Sequence, residues 1–345
     1  MSFSYSNQFT CLYRLLIFIP LCLQLIGCGH GSEDAIDRPN VSDIELDVSI
    51  RRLEQPLFEA KSRDEIKAFL KENELFAQNF LRINEYPSDS VIVDQLWQLS
   101  QDPHLDTVYR ESQQIFPDLK AWEEQFETAF KYIKYYYPEF QPPVIYTVVS
   151  GFSTDLFMTE DMIIIGLDYF LGPEATYRPQ ELPQYILHRY APEYVVPGVM
   201  LLISSRFNQT DLKDKSMLAE MVYYGKSYHF VDFVLPSAPD SVIVGYTAEE
   251  MDGVQANQGI IWNHFLKNEL LYETNHVLKK KYLEERPKTL EIGDKAPGRI
   301  GNWIGWSIVR SFMEKKEDLS LRQLMELQDA RYIFNEAKYR PANQR

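Results

Sequence analysis

A chain of 345 residues that is 45% hydrophobic and 14% aromatic has enough apolar surface for a substantial core, so disorder over most of its length is excluded. Its formal net charge of −15 argues against nucleic acid and against adhesion to anionic lipid heads, because phosphate charge would repel it.

The first element is an apolar run, Leu15 to Ile26, preceded by the single charge of Arg14. It is too short to span a bilayer as a mature helix and reads as a secretory signal over residues 1–27. The run ends in Leu25-Ile26-Gly27-Cys28, which resembles the bacterial lipobox. That resemblance implies cleavage before Cys28 by signal peptidase II and a diacylated cysteine as the new amino terminus. Each buried CH₂ of such chains contributes about 0.8 kcal/mol, so several chains hold a protein on a membrane. Cys11 and Cys22 leave with the signal, so the mature chain has no disulfide and depends on its core. Losing Arg14 takes the charge from −15 to −16. Residues 28–42 read as a lipidated polar tether. Gly29 in place of Asp after Cys28 favours the outer over the inner membrane, by analogy with lipoprotein sorting. Ser32-Glu33-Asp34 faintly resembles the acidic surface-export signal of Bacteroidetes lipoproteins, with plain linker as the alternative.

Residues 43–337 read as one mainly helical domain, followed by a polar tail at 338–345. Residues 44–52 alternate apolar and polar and predict a strand. Residues 64–82 place Ile66, Phe69, Leu70, Phe76, Ala77, Phe80 and Leu81 on one side of a helix. Shorter helices follow at 91–99 and 108–116, and a long one at 119–137 stops before Pro138. Two β-branched runs, Val144 to Ser150 and Met162 to Asp168, read as buried strands. They lead into a predicted helical pair, 182–190 and the run opened by Pro197. Further helices are expected at 213–235, twice within 247–285, at 297–313, 320–327 and 331–337. Thr247-Ala248-Glu249-Glu250 reads as a capping box. In the 297–313 helix, Gly301 and Gly305 lie four apart. Each costs around 1 kcal/mol against alanine in a soluble helix, so together they imply a close backbone approach. The fold class is α+β, predominantly helical, with a small sheet.

Chemistry is sparse. A zincin needs two imidazoles at i and i+4 and a glutamate after the first. His188-Arg189-Tyr190-Ala191-Pro192 keeps only the first histidine, with Arg189 in place of the base and Pro192 in place of the second ligand. His188 therefore reads as a structural histidine, and the zinc motif as lost. Dispersed ligands, His188 with Glu220 and His229, are the remaining zinc candidates; His229 with Asp232 has i, i+3 spacing that could bind a metal, but a solvated helix face is the preferred explanation. Glu249, Glu250 and Asp252 suit a helix N-terminus. There is no phosphate loop, no nucleophile elbow and no free mature cysteine. The tyrosines, including Tyr135-Tyr136-Tyr137 and Tyr223-Tyr224, are either hydrogen-bonded core residues or a partner-binding face.

The lipobox at Cys28, Tyr135 to Pro138 with Pro143 to Tyr146, Ser150-Gly151-Phe152, Ile165 to Gly172, Met221 to Lys226 and Pro297 to Trp306 together resemble the gliding-motility lipoprotein B (GldB) family of Bacteroidetes. The likeness runs to about Leu327, and the last motif, with Gly298, Arg299, Gly301, Trp303, Gly305 and Trp306, is the most specific. It implies a cell-envelope lipoprotein associated with gliding, carrying a lipid on Cys28 and no other cofactor. It also implies a body similar to zincin-type metallopeptidases without the metal, acting on protein partners in the motility or envelope machinery. A zinc-dependent hydrolase of the zincin class is the competing expectation.

Overall fold

The computed structural model describes residues 36–341. The signal segment, Cys28 and most of the tether lie outside the described residues. Two compact units divide at Arg38, and every element below belongs to the second. Among the described residues no helix is long and apolar enough to cross a membrane.

Strand β1 (Ile50–Arg52) is followed by six helices: α1 (Glu54–Glu59), α2 (Arg63–Glu72), α3 (Glu74–Asn79), α4 (Asp89–Gln101), α5 (Pro103–Ile115) and α6 (Lys120–Tyr136). Strands β2 (Val144–Val148), β3 (Leu156–Met158) and β4 (Met162–Gly166) complete a four-stranded sheet in the order β1-β2-β4-β3. β1, β2 and β4 are parallel, and β3 pairs antiparallel at one edge with Phe157 opposite Ile164. Every residue of β4 is buried, as an unbroken β-branched run requires of a strand covered on both faces.

The strand expected over 44–52 forms only at its end. Residues 44–49 do alternate in exposure, but the pairing with β2 begins at Ile50, so they have no ladder. The helix expected over 64–82 breaks at Asn73, whose Nδ2 donates to the Phe69 carbonyl at 2.9 Å and competes with continuation of the helix. Its apolar stripe survives the break. Ile66, Phe69, Leu70, Phe76 and Ala77 cover one sheet face, against Tyr146, Val148, Met162 and Ile164.

Beyond the sheet come α7 (Val195–Ser204), α8 (Met217–Val234), α9 (Asp240–Val244), α10 (Ala248–Ala256), α11 (Gln258–Lys267), α12 (His276–Leu283), α13 (Ile300–Lys315), α14 (Leu321–Glu326) and α15 (Ala330–Ala337). The stretch 247–285 thus holds three helices where two were expected, the last two separated by Glu269 in the left-handed conformation. The capping box forms: Thr247 Oγ1 accepts from Glu250 N, and the Glu250 carboxylate accepts from Thr247 N. α8 is buried over most of its surface and α13 nearly so, which makes them the core pair.

Packing exceeds the expected domain limits at both ends. Within the expected tether, Arg38 donates to the carbonyls of Asp232 and Phe233. Within the expected tail, Tyr339 is only 9% exposed and sits edge-on to Trp262.

Candidate functional site

The segment expected as a histidine-bearing α-helix is a 3-10 run, Gln184–Arg189, followed by a separate one, Pro192–Tyr194. A 3-10 turn places i and i+3 in line, so no face exists on which positions 188 and 192 could pair as zincin ligands. His188 Nδ1 donates to the Tyr185 carbonyl at 3.0 Å, and its Nε2 is buried without a partner. Arg189 Nε donates to the Gly245 carbonyl at 2.6 Å, and its Nη1 pairs with Glu285.

The dispersed zinc candidates do not converge. Glu220 and His229 share α8 but stand nine residues apart, a rise of roughly 13 Å and about half a turn in phase. Glu220 turns outward to Lys279. His229 is fully enclosed with neither ring nitrogen bonded, and burial, reinforced by Arg310 and Arg38, pushes its pKa down to about 3. Asp232, one turn on, is taken by Arg310 at 2.8 Å. Among the described residues no three His, Cys, Asp or Glu side chains gather around a common point.

The motif residues from 298 to 306 build a junction. α13 crosses α8 with backbones touching: a Cβ on Gly305 would overlap the Met221 carbonyl, and one on Gly225 would lie 2.8 Å from Trp306 N. Gly301 faces Leu283, and Gly298 faces the Arg286 carbonyl. The close approach inferred from Gly301 and Gly305 is therefore present. Its partner glycine, Gly225, lies in the Met221 to Lys226 motif. Trp303 and Trp306 fill the space beside it, with the Arg310 guanidinium 3.8 Å above the Trp306 ring. Arg299 adopts the left-handed conformation (φ 56°) that lets the chain turn into α13. Its Nη2 donates to the carbonyls of Val244 and Gly245, and its Nε lies 3.1 Å from the Glu285 carboxylate that Arg189 also meets. Tyr246 donates to the Gly298 carbonyl at 2.9 Å.

Next to Gly225, Lys226 is 1% exposed and donates to three carbonyls, Gln209 at 2.6 Å, Leu327 at 2.7 Å and Met325 at 3.2 Å. It joins the loop after α7 to the end of α14. Among the described residues no carboxylate pairs with it, and burial pushes its pKa down to about 7.

Open space lies at the two ends of the sheet. Beyond the C-terminal ends of β2 and β4 is a cleft of about 530 Å³, lined by Phe152, Tyr169 and Tyr177, with His104 and Arg178 among the polar groups at its mouth. The ends of parallel strands are the usual place for a ligand crevice. Its wall is the Ser150-Gly151-Phe152 turn, in which Gly151 and Phe152 both have positive φ. Asp168, 1% exposed, holds that turn by accepting from Ser150 N at 3.0 Å and Phe152 N at 2.6 Å. Burial raises its pKa to about 6 despite those donors. Sequence reasoning missed this strap; the pairing of Ser150-Gly151-Phe152 with Asp168, two short motifs 16 to 18 residues apart, was the available signal. A second cleft of about 490 Å³ opens at the N-terminal ends, by Val144 and Asp161.

These features define an α+β body with a closed helix crossing at its centre and clefts at the two ends of its sheet. The model of the gliding motility protein GldB family, lipoproteins by name, matches residues 34–341, and the chain belongs to that family. No curated protein and no solved structure matches it.

Proposed function

We propose that the chain is a lipid-tethered envelope protein that serves gliding motility through contacts with other proteins, without turnover. The family supplies the motility role. Contact is favoured over turnover by one observation: several polar groups suited to chemistry are already paired with other residues of the chain. Arg189 and Arg299 share Glu285, Glu220 pairs with Lys279, and Asp168 straps the 150–154 turn. The tether is a lipid on Cys28, in the outer membrane by the Gly29 criterion. The body is read as zincin-like with its zinc motif lost, supported by the order of strands β2 to β4 leading into the segment that bears His188.

The competing reading, a zinc hydrolase using His188, Glu220 and His229, has in its favour only the unpartnered ring nitrogens of the two histidines. Metal analysis of the purified soluble domain separates the two. Contact without turnover expects no stoichiometric zinc, and close to one equivalent per chain overturns it. For the tether, Cys28→Ser is expected to release the protein from washed membranes; retention at the wild-type level rules out the lipid as its cause.

A further inference from the structure

The cleft at the N-terminal ends of β2 and β4 differs in chemistry from its counterpart. Its floor is aromatic: Tyr137 and Phe140, each 5% exposed, with Phe207 stacked on Tyr137 at 4.1 Å between ring centroids. Its rim is acidic. Glu139, Glu160 and Asp161 are among its lining residues, with Arg206 as the one cation among the lining side chains. The carboxylates are weakly engaged. Glu139 lies 3.7 Å from Arg322 and Glu160 lies 3.9 Å from Arg206, with the two carboxylate side chains 67% and 85% exposed. Exposed pairs at that range hold little free energy and exchange readily.

The rings already accept cations. The Arg206 guanidinium lies 6.0 Å from the centre of Phe140, and that of Arg322 lies 5.0 Å from the centre of Tyr137. A ring face attracts a positive group through its quadrupole, and more strongly where water is excluded. At about 490 Å³ the space is within the range of small-ligand sites and larger than one long side chain needs.

We propose that this cleft seats a lysine or arginine side chain projecting from a basic segment of a partner protein. The alkyl stem lies on Tyr137, Phe140 and Phe207, and the charged head meets Glu139, Glu160 and Asp161. Charge complementarity selects this occupant: the lining carries three carboxylates against the one guanidinium of Arg206, so an acidic peptide or an anionic lipid head would meet a net negative surface. The proposal gives a chemistry to the contact function proposed above and rests on it only in assuming a protein partner.

The test uses the purified lipid-free chain from residue 29 and an array of fluorescent 12-residue peptides, each with one or two Lys or Arg in a Gly-Ser background. Binding is read by fluorescence anisotropy at low and moderate salt. Expected is salt-sensitive binding to basic peptides, weakened on the order of tenfold by the triple variant Glu139→Gln, Glu160→Gln, Asp161→Asn. A control removing three charges elsewhere, Glu249→Gln, Asp252→Asn and Glu273→Gln, is expected to change binding less than about twofold. Phe207→Leu keeps the volume and removes a ring face, and is expected to weaken binding about threefold to fivefold. The proposal is overturned if no basic peptide binds above the Gly-Ser background or if the control weakens binding as much as the triple variant. It is equally overturned if the triple variant binds undiminished, or instead alters self-association or adsorption to zwitterionic vesicles. Neither the Cys28 lipid nor zinc enters this assay, so its failure leaves the tether and turnover tests standing.

Discussion

The α8–α13 crossing and the two ends of the sheet are built on opposite rules. At the crossing, Gly225 and Gly305 bring backbone against backbone, and the surrounding side chains are nearly all buried. At the sheet ends, rings line open space and charged groups stand in solvent. The first region tolerates no added atom, and the second tolerates many. Family-motif residues occur in both, so a motif in this chain marks either an immovable contact or an open surface, and only packing distinguishes them.

The largest expected effect breaks the crossing. Gly305→Ala puts a methyl group into the Met221 carbonyl, which no rotamer change relieves, and urea denaturation should show a loss of about 4 kcal/mol or more, or no cooperative fold at all. A loss below about 1 kcal/mol would mean that the two backbones do not touch. Lys226→Met should follow, at about 2–4 kcal/mol, because the carbonyls of Gln209, Met325 and Leu327 lose their donor.

The crossing also predicts acid sensitivity. The folded pKa of His229, about 3, lies below the ordinary value of 6.5, so below that value the unfolded chain binds a proton that the folded chain refuses. Stability from this group is complete above about pH 6.5 and falls by roughly 1.4 kcal/mol per unit down to about pH 3. His229→Leu should flatten the profile of stability between pH 6.5 and 5; an unchanged slope would place the proton elsewhere. Asp168, by the sheet, has the opposite sign. Its folded pKa of about 6 exceeds the ordinary 3.8, so its contribution is complete below about pH 3.8 and lost as pH rises through 6.

At the sheet ends, Arg178→Ala should leave stability within about 0.5 kcal/mol of the parent, since the side chain is exposed. One small effect is a gain. Gly253 in α10 has open space where a Cβ would stand, and Gly253→Ala should raise stability by about 0.5–1 kcal/mol. Comparable losses at Gly253 and Gly305 would mean that the backbone contact at the crossing is not what makes Gly305 irreplaceable.

Periodicity revealed the long helices and the two five-residue strands, because an amphipathic face or a β-branched run needs no knowledge of its neighbour. The i, i+4 glycines of α13 signalled a tight contact, yet nothing in that spacing pointed to Gly225. β3 escaped notice because three residues are too few to show a period. The clefts were not visible at all, since their walls come from segments up to about 130 residues apart, as with Leu75 and Phe207 in the second cleft, while in the first His104 and Tyr177 meet at 2.8 Å. The segment expected as a helix over 182–190 forms a 3-10 run at Gln184–Arg189 instead, a difference that residue spacing over so short a stretch does not carry.

The parallel run of β1, β2 and β4 sets how the body would bear mechanical load. Its clefts open at opposite ends of those strands, about 16 Å apart for five residues at 3.3 Å each. A load applied between the two ends of the sheet would run along the strand axes. It shears the β2–β4 ladder as a set, with all its hydrogen bonds resisting together, where a pull across the sheet would open them one at a time.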